Sequence, residues 1–516
     1  MTVWKKWIFS NKEIWGNYKL LPIILKKEKG NEMNIGVIDW IIIAIYIVGM
    51  LAIGIIANKK IDSMDDFILG GRRFTVPALI GTILATMVGS GMLMGAVGNV
   101  YVSGAGSSAF WIYFGMGIGL LTMGVWAKAI RKTNARSLAE ITSTFGKPTR
   151  LAAAIVVTIY AVALVAINIA GLRTVIVYVF SGIDISIPVA TVIAAAISIA
   201  YTALGGFYAV VWTDVAQLGI MLVGVFIIGP IIGLSMIDGG MDTVTATYAA
   251  EGMNITNPLA GGLTLGIVGT VLTYFLTSPG DPTMPQRALS AKNAKTAKTA
   301  FIITGIIAFI MGGVLLVLGG AIHVVMPGVE PKDSVLPLFV ATYYPPVIKG
   351  ICLAGIVAAV MSSFDSFLIL ATTHIMYDIG KTVKPEMSED KIGKALPKLT
   401  IVIGIIGIII ALFITSLLDY LTAVFSIVGS ALVPVLVAAL FFKEKTSKTA
   451  ALWSIILGGG IPAILFFTVG YNVPLGDPTF LGVGAAVLTL IIGSMIGKDK
   501  LTQDELAALK AKEAEE

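Results

Sequence analysis

The residues that could do chemistry in this chain of 516 residues are oxygen-bearing side chains inside long apolar stretches. One stretch, 347–373, contains Ser362, Ser363, Asp365 and Ser366. Residues 359, 362, 363 and 366 fall at i, i+3, i+4 and i+7, so they share one face of a helix, and Asp365 borders it. Oxygen atoms are the ligands of hard cations such as Na⁺. The pattern indicates a cation site, and the alternative is that the serines bond to carbonyls of their own helix.

A second acid, Asp214, lies about 10 Å into the apolar stretch 207–235 if that stretch is a helix. A carboxylate at membrane depth is costly and is read as functional by default. The alternative is an acid that caps the helix or reaches the membrane surface. Asp214 is therefore a second candidate for cation or proton binding.

Composition excludes several classes of protein. Hydrophobic residues make up 57% of the chain and charged residues 13%, whereas soluble domains carry about 25% charged residues. A soluble enzyme, a disordered chain and a nucleic-acid binder are excluded on this ground. One cysteine and two histidines leave little for a disulfide framework, a metal centre or a nucleophile–base pair. The sequence contains no Walker motif, which argues against direct coupling to ATP.

Apolar stretches of about 20 residues predict membrane-spanning helices. We identify thirteen: 36–57, 75–101, 108–127, 151–172, 185–204, 207–235, 260–278, 299–326, 347–373, 399–417, 420–442, 450–470 and 477–497. Beyond the first 33 positions, 26 Lys and Arg lie in the tail or in loops after odd-numbered stretches, and 3 lie on the opposite side. The positive-inside rule then places the N-terminus outside and the C-terminus in the cytoplasm. Seven lysines in residues 1–33 violate the rule, which indicates either a surface segment at 15–25 or a true start at Met33.

Two of the thirteen stretches contain helix-breaking sequences. The second reads Gly89-Ser90-Gly91 at its centre, and the seventh has four glycines between positions 261 and 269 and ends at Ser278-Pro279-Gly280. Interrupted helices in corresponding positions of two halves point to a transporter site in a fold of two inverted repeats. Close packing of helices is the alternative for any one glycine.

Four motifs resemble those of the sodium:solute symporter family. They are Asp66–Arg72; Tyr201–Gln217 with its Trp-Thr-Asp-x-x-Gln; Gly280-Asp281-Pro282 followed by Gln286-Arg287; and the Ala-Ala-Val-Met-Ser-Ser run of 358–363. The resemblance covers the chain from about residue 36 to the last stretch. It implies an all-α polytopic membrane protein of about 13 helices. Two five-helix inverted repeats of the leucine/neurotransmitter-transporter type would be joined by one extra N-terminal and two extra C-terminal helices.

The resemblance also implies binding residues. The family's main sodium site maps onto the carbonyls of Ala85, Val88 and Ala359 and onto the hydroxyls of Ser362 and Ser363. A second cation site, present in some members, maps onto Asp214, Ser362, Asp365 and Ser366.

The solute is expected between stretches two and seven. Exposed backbone groups and a covering aromatic ring would bind it there, near Thr86, Gly89, Ser90, Gly91 and Tyr274. The chain departs from the proline carriers at three aligned positions. Those carriers have an aspartate, a tryptophan and a glutamine where this chain has Met87, Tyr274 and Asp281. A proline substrate is therefore doubtful.

These observations predict a sodium-coupled secondary symporter of the cell membrane that imports a small organic solute by alternating access. Its partners are the solute, Na⁺ as coupling ion and the lipid bilayer. We expect no other cofactor, no nucleic acid and no obligate protein partner. The alternatives are a proton-coupled symporter of the same fold and a membrane enzyme. The predicted divisions are an N-terminal extension at 1–35, an extra helix at 36–57, repeats at 75–235 and 260–442, C-terminal helices at 450–497 and a cytoplasmic tail at 498–516.

Overall fold

A computed structural model describes residues 35–58, 63–103, 106–179, 185–202, 206–259, 262–470 and 477–514. The predicted extension 1–35 lies outside this range except for its last residue, so the two interpretations of its lysines stay open. The helices, in chain order, are α1 Val37–Asn58, α2 Met64–Leu69, α3 Val76–Met87, α4 Ala96–Ser103, α5 Gly106–Lys132, α6 Leu138–Thr142, α7 Lys147–Val179, α8 Ile187–Thr202, α9 Phe207–Met221, α10 Ile228–Ser235, α11 Met241–Ala250, α12 Leu265–Gly280, α13 Thr283–Ser290, α14 Ala294–Val325, α15 Val335–Tyr343, α16 Ile348–Thr373, α17 Glu389–Ala411, α18 Leu417–Phe441, α19 Lys448–Val469, α20 Pro478–Ile496 and α21 Gln503–Ala514.

Each predicted stretch overlaps a helix. Stretch 75–101 overlaps the pair α3 and α4, and 207–235 overlaps α9 and α10, which the π-helical segment Leu222–Ile227 joins. Within the described residues, ten helices are long and apolar enough to cross a membrane, and the bent pair raises this to eleven. The apolar helices α8 and α12 are shorter. The chain is therefore an all-helical, multi-pass membrane protein, while the count of thirteen spans stays a prediction.

The second predicted stretch is broken, as its glycines indicated. Helix α3 ends at Met87, and a π-helical turn Gly91–Gly95 leads into α4 at an angle of 65° to α3. A Cβ atom on Gly89 would lie 2.7 Å from the Ser363 hydroxyl and 3.1 Å from the Asn168 amide oxygen. A glycine at position 89 therefore lets the break approach α16 and α7 closely.

Helix α16 is the most enclosed of the long helices, because all of its most apolar window is buried. It packs against α1, α3, α7 and α9. Asp39 in α1 accepts hydrogen bonds from the backbone N–H groups of Val347 (2.8 Å) and Gly350 (3.0 Å) at the start of α16. This carboxylate satisfies donors that a helix start leaves without intrahelical partners. The extra N-terminal helix thus holds α16 in place.

The second break follows α12. Helix α12 ends at Gly280, and α13 begins at Thr283 after the short turn Asp281-Pro282. A Cβ atom on Gly280 would lie 3.0 Å from the Cα atom of Gly429 in α18, so a glycine is needed for this approach. The turn brings the side chains of Asp281 and Arg287 into the protein interior, where both are buried.

The predicted boundaries of 399–417 differ from those of α17, which begins ten residues earlier at Glu389 and ends at Ala411. The Ser388 hydroxyl caps its start by accepting from the Lys391 N–H, which lengthens the helix beyond the apolar window. After Ala411 the chain turns, and Ser416 caps the start of α18.

Candidate functional site

The break in the second stretch meets the hydroxyl face of α16. The Ser362 hydroxyl lies 2.9 Å from the Ala85 carbonyl oxygen and 3.0 Å from that of Ala359. The Ser363 hydroxyl donates to the Thr86 carbonyl at 2.8 Å and lies 3.4 Å from the Ala359 carbonyl. We call these five oxygens, three carbonyls and two hydroxyls, the oxygen cluster. It joins α3 to α16.

The oxygen cluster has the chemistry of a site for a hard monovalent cation. All five potential ligand atoms are neutral oxygens, and all five residues are buried. A serine hydroxyl can rotate. When an ion binds the carbonyl oxygen to which the hydroxyl donates, the hydroxyl can turn a lone pair toward that ion. Val88, the other backbone ligand expected from the resemblance, is the C-cap of α3 with ψ of 60°, so its carbonyl leaves the helical path. The Thr86 carbonyl is an oxygen that the sequence did not predict.

Two residues of the expected second cation site, Asp214 and Ser366, share Arg287 as a polar partner. Asp214 accepts from the Thr82 hydroxyl at 2.6 Å and lies 3.6 Å from the guanidinium of Arg287. That guanidinium also donates to Ser366 at 3.0 Å and to Thr86. A built-in cation therefore stands between Asp214 and Ser366, where the resemblance implied a second bound ion.

Asp365 takes part in a different contact. Its Oδ1 atom accepts from the Thr202 hydroxyl at the end of α8, while Ser362 belongs to the oxygen cluster. The structure thus pairs Asp214 with Ser366 through Arg287 and leaves Ser362 and Asp365 with other partners.

A cavity lies beside the break. Among the residues predicted for the solute, Thr86, Gly89, Ser90 and Gly91 line it. The full lining is Thr86, Met87, Gly89, Ser90, Gly91, Met92, Met116, Leu120, Leu164, Ile167, Asn168, Thr277, Ser278, Asp281, Met284, Ser363, Phe367, Leu421 and Phe425. The wall is mostly apolar with a few polar groups, which is the usual composition of small-molecule sites.

Tyr274 is not among the residues that line the cavity. Its hydroxyl bonds to Thr422 at 2.8 Å, and its ring packs edge-on against Phe425 with centroids 5.7 Å apart. Phe425 thus lines the cavity where the sequence predicted Tyr274. The spacing of residues along α12 alone could not show that a side chain of α18, Phe425, would pack between Tyr274 and the cavity.

Two further polar residues at the site were not predicted as binding residues. Asn168 in α7 accepts from the Ser90 backbone N–H at 3.2 Å and holds the broken segment in place. Asp281 lines the cavity, and its Oδ1 atom accepts from the Thr283 N–H at 2.9 Å. Only polarity could have indicated them in the sequence. Asn168 is an amide within an apolar stretch, and Asp281 is an acid where the family resemblance leads one to expect glutamine.

Polar contacts join neighbouring segments on each of the two predicted sides of the membrane. On the side predicted to be external, Asp333 accepts from the Leu417 N–H at 2.8 Å, which ties the turn Lys332–Ser334 to the start of α18. On the side predicted to be cytoplasmic, Asp65 contacts both Arg72 (3.4 Å) and Arg136 (3.3 Å).

Comparison with known proteins agrees with this architecture. The sodium/proline symporter of Haemophilus influenzae is 29% identical over 499 residues, which cover 90% of this chain and 95% of that protein. The sodium/pantothenate symporter of the same organism is 25% identical over 498 residues, covering 92% and 99%. A solved structure of a Na⁺-coupled sialic acid symporter, substrate-bound and outward-open, matches with a TM-score of 0.76 and 22% identity over 90% of this chain and 99% of that one.

This likeness shows that the fold is of the leucine/neurotransmitter-transporter type. The model of the sodium:solute symporter family matches residues 67–458, which is more than half of the chain. The chain therefore belongs to the sodium:solute symporter family, whose members are transporters and not enzymes.

Proposed function

We propose that the chain imports a small organic solute together with Na⁺, with Na⁺ bound at the oxygen cluster and the solute bound in the adjacent cavity. The coordinating residues are Ala85, Val88, Ala359, Ser362 and Ser363, with the Thr86 carbonyl as an additional donor. Neutral oxygens from a helix break and a facing helix suit Na⁺, because unwound carbonyls coordinate such ions in transporters of this kind.

One observation carries this proposal: Ser363 belongs to both sites. Its side chain lines the cavity, and its hydroxyl donates to the Thr86 carbonyl of the oxygen cluster. An ion at the cluster fixes the positions of Ser363 and Thr86, which both line the cavity. Ion binding and solute binding therefore favour the same arrangement of α3 and α16. By linkage, each ligand then raises the affinity of the other by the same factor.

Alternating access follows from where the ion lies. The cluster joins broken helix α3–α4 to α16, so an ion there biases the angle between them, and the polar contacts at Asp333 and Asp65 break in turn. With the external N-terminus that the charge bias predicts, the contact at Asp333 faces the outside.

The test is uptake into proteoliposomes that contain the purified protein. Labelled solutes are offered under an inward Na⁺ gradient, an equal inward K⁺ gradient or an inward proton gradient in K⁺. We expect accumulation above equilibrium with the Na⁺ gradient alone. Accumulation driven equally well by protons without Na⁺ would instead support the proton-coupled alternative, with a buried acid such as Asp214 as the carrier.

A further inference from the structure

The cavity contains one acidic side chain and no counter-charge. Asp281 is the only carboxylate among the described residues that line it, and none of those residues is Lys, Arg or His. The Asp281 side chain is buried, with 5% of the residue exposed. Isolated charges at membrane depth are costly and normally face a partner or a ligand pathway.

The protein groups near Asp281 do not neutralise it by direct contact. Its Oδ1 atom accepts from the Thr283 backbone N–H, which is a neutral donor. The hydroxyl of Tyr160 interacts with the same carboxylate and is a second neutral donor. The guanidinium of Arg287 acts on Asp281 electrostatically, but its ion pair is with Asp214, at 3.6 Å.

The rest of the cavity wall suits the body of an organic cation. Phe367 and Phe425 line it, and the ring of Tyr160 packs against both, with centroids 5.6 Å and 6.3 Å away. Aromatic faces attract cations, and quaternary ammonium groups are bound in this way. Met87, Met92 and other apolar side chains complete the wall.

We infer that the transported solute carries an ammonium group, which binds beside Asp281, and an apolar body, which packs against Phe367 and Phe425. This inference rests on the proposed function and names the class of solute at the same site. A simple organic cation and a zwitterion share the ammonium group, and both fit the charge of the cavity. A solute that carries only a carboxylate does not, because its charge would face Asp281 with no basic side chain on the wall.

The experiment compares matched probes on the purified full-length protein by thermal unfolding. Each pair replaces the charged nitrogen by carbon: choline with 3,3-dimethylbutan-1-ol, glycine betaine with 3,3-dimethylbutanoate, and proline with cyclopentanecarboxylate. Titrations are made in Na⁺ and in K⁺. Choline is not used as the substitute for Na⁺, because it is itself a probe.

We expect at least one ammonium probe to stabilise the protein in Na⁺ with an apparent affinity at least tenfold higher than that of its carbon isostere. Choline as the effective probe assigns a cation, and betaine or proline assigns a zwitterion. Asp281→Asn should weaken that binding at least tenfold and leave the stabilisation by Na⁺ alone in place. Asp477→Asn is the control, because Asp477 is a buried acid that caps α20 away from the cavity.

The inference is overturned if the isosteres bind as well as the ammonium probes, if no ammonium probe stabilises the protein in Na⁺, or if Asp281→Asn binds the effective probe normally. The comparison of isosteres uses the unmutated protein, so it decides the matter even if the variant does not fold. Failure of the proposed function looks different: Na⁺ without solute would then stabilise the protein no more than K⁺ does.

Discussion

Removing the hydroxyls of Ser362 and Ser363 perturbs the oxygen cluster with the least change in volume. Each serine contributes one of its five oxygens, and each already contacts a carbonyl of α3, at 2.9 Å and 2.8 Å respectively. Ser362→Ala, Ser363→Ala and the double variant should therefore weaken Na⁺ binding and leave the fold intact.

The magnitude follows from what each hydroxyl does with and without the ion. A hydrogen-bonding group that faces a charge contributes about 1.5–3 kcal/mol, and a neutral hydrogen bond contributes about 0.5–1.5 kcal/mol. The variant loses the first contribution when Na⁺ is bound and the second when it is not. The net loss is about 1 kcal/mol per hydroxyl, or roughly five- to tenfold in apparent Na⁺ affinity.

The assay is the melting temperature of the purified protein as a function of NaCl, with KCl added to hold the ionic strength constant. Thr372→Val is the matched control, because Thr372 is a buried hydroxyl of the same helix that bonds only to Leu368 and Ile369 carbonyls among the described residues. The control should keep the normal half-saturating Na⁺ concentration. If the double serine variant also keeps it, the oxygen cluster is not the sodium site.

Three further predictions follow from buried acids. Arg287→Gln should destabilise the protein by about 3–5 kcal/mol because it leaves Asp214 unpaired. Adding Asp214→Asn should restore part of the lost melting temperature. A double variant that melts no higher than Arg287→Gln alone would contradict the pairing. Burial raises the pKa of Asp333 to about 6 against 3.8 when exposed, so protonation favours the state in which Asp333 is buried against α18. That state is favoured roughly tenfold more as pH falls from 7 to 5, and this gain is lost as pH rises through 6. Exchange of the Leu417 amide should therefore slow at pH 5 after correction for intrinsic rates, and Asp333→Asn should remove this pH dependence. Asp39→Ala should cost about 1 kcal/mol by removing the cap of α16, whereas Asp39→Asn, which keeps a side-chain acceptor, should cost less in chemical unfolding.

The parts of the site that the sequence predicted well are those set by local geometry. The spacing of Ser362 and Ser363 on one helical face and the glycines around Ser90 depend only on helix period and backbone freedom. The structure places these two features in contact. The all-helical architecture followed from apolar length, and the family followed from four short motifs.

The parts that the sequence did not predict depend on tertiary reach. The position of the Arg287 guanidinium between Asp214 and Ser366 depends on the turn after α12, which no periodicity encodes. Tyr274 does not line the cavity, because its ring packs against Phe425 of α18, which does. The Thr86 carbonyl joins the oxygen cluster through its backbone, so its residue type carried no signal.

The most direct test of sodium-coupled symport at this site is current recorded from proteoliposomes on a solid-supported membrane. A jump in the concentration of a transported solute should move positive charge inward in Na⁺, at fixed pH, and should produce no transport current in K⁺. The Ser362→Ala/Ser363→Ala variant should need a higher Na⁺ concentration for half of its maximal current. Equal currents in K⁺ and Na⁺, or a normal Na⁺ dependence in that variant, would contradict the account.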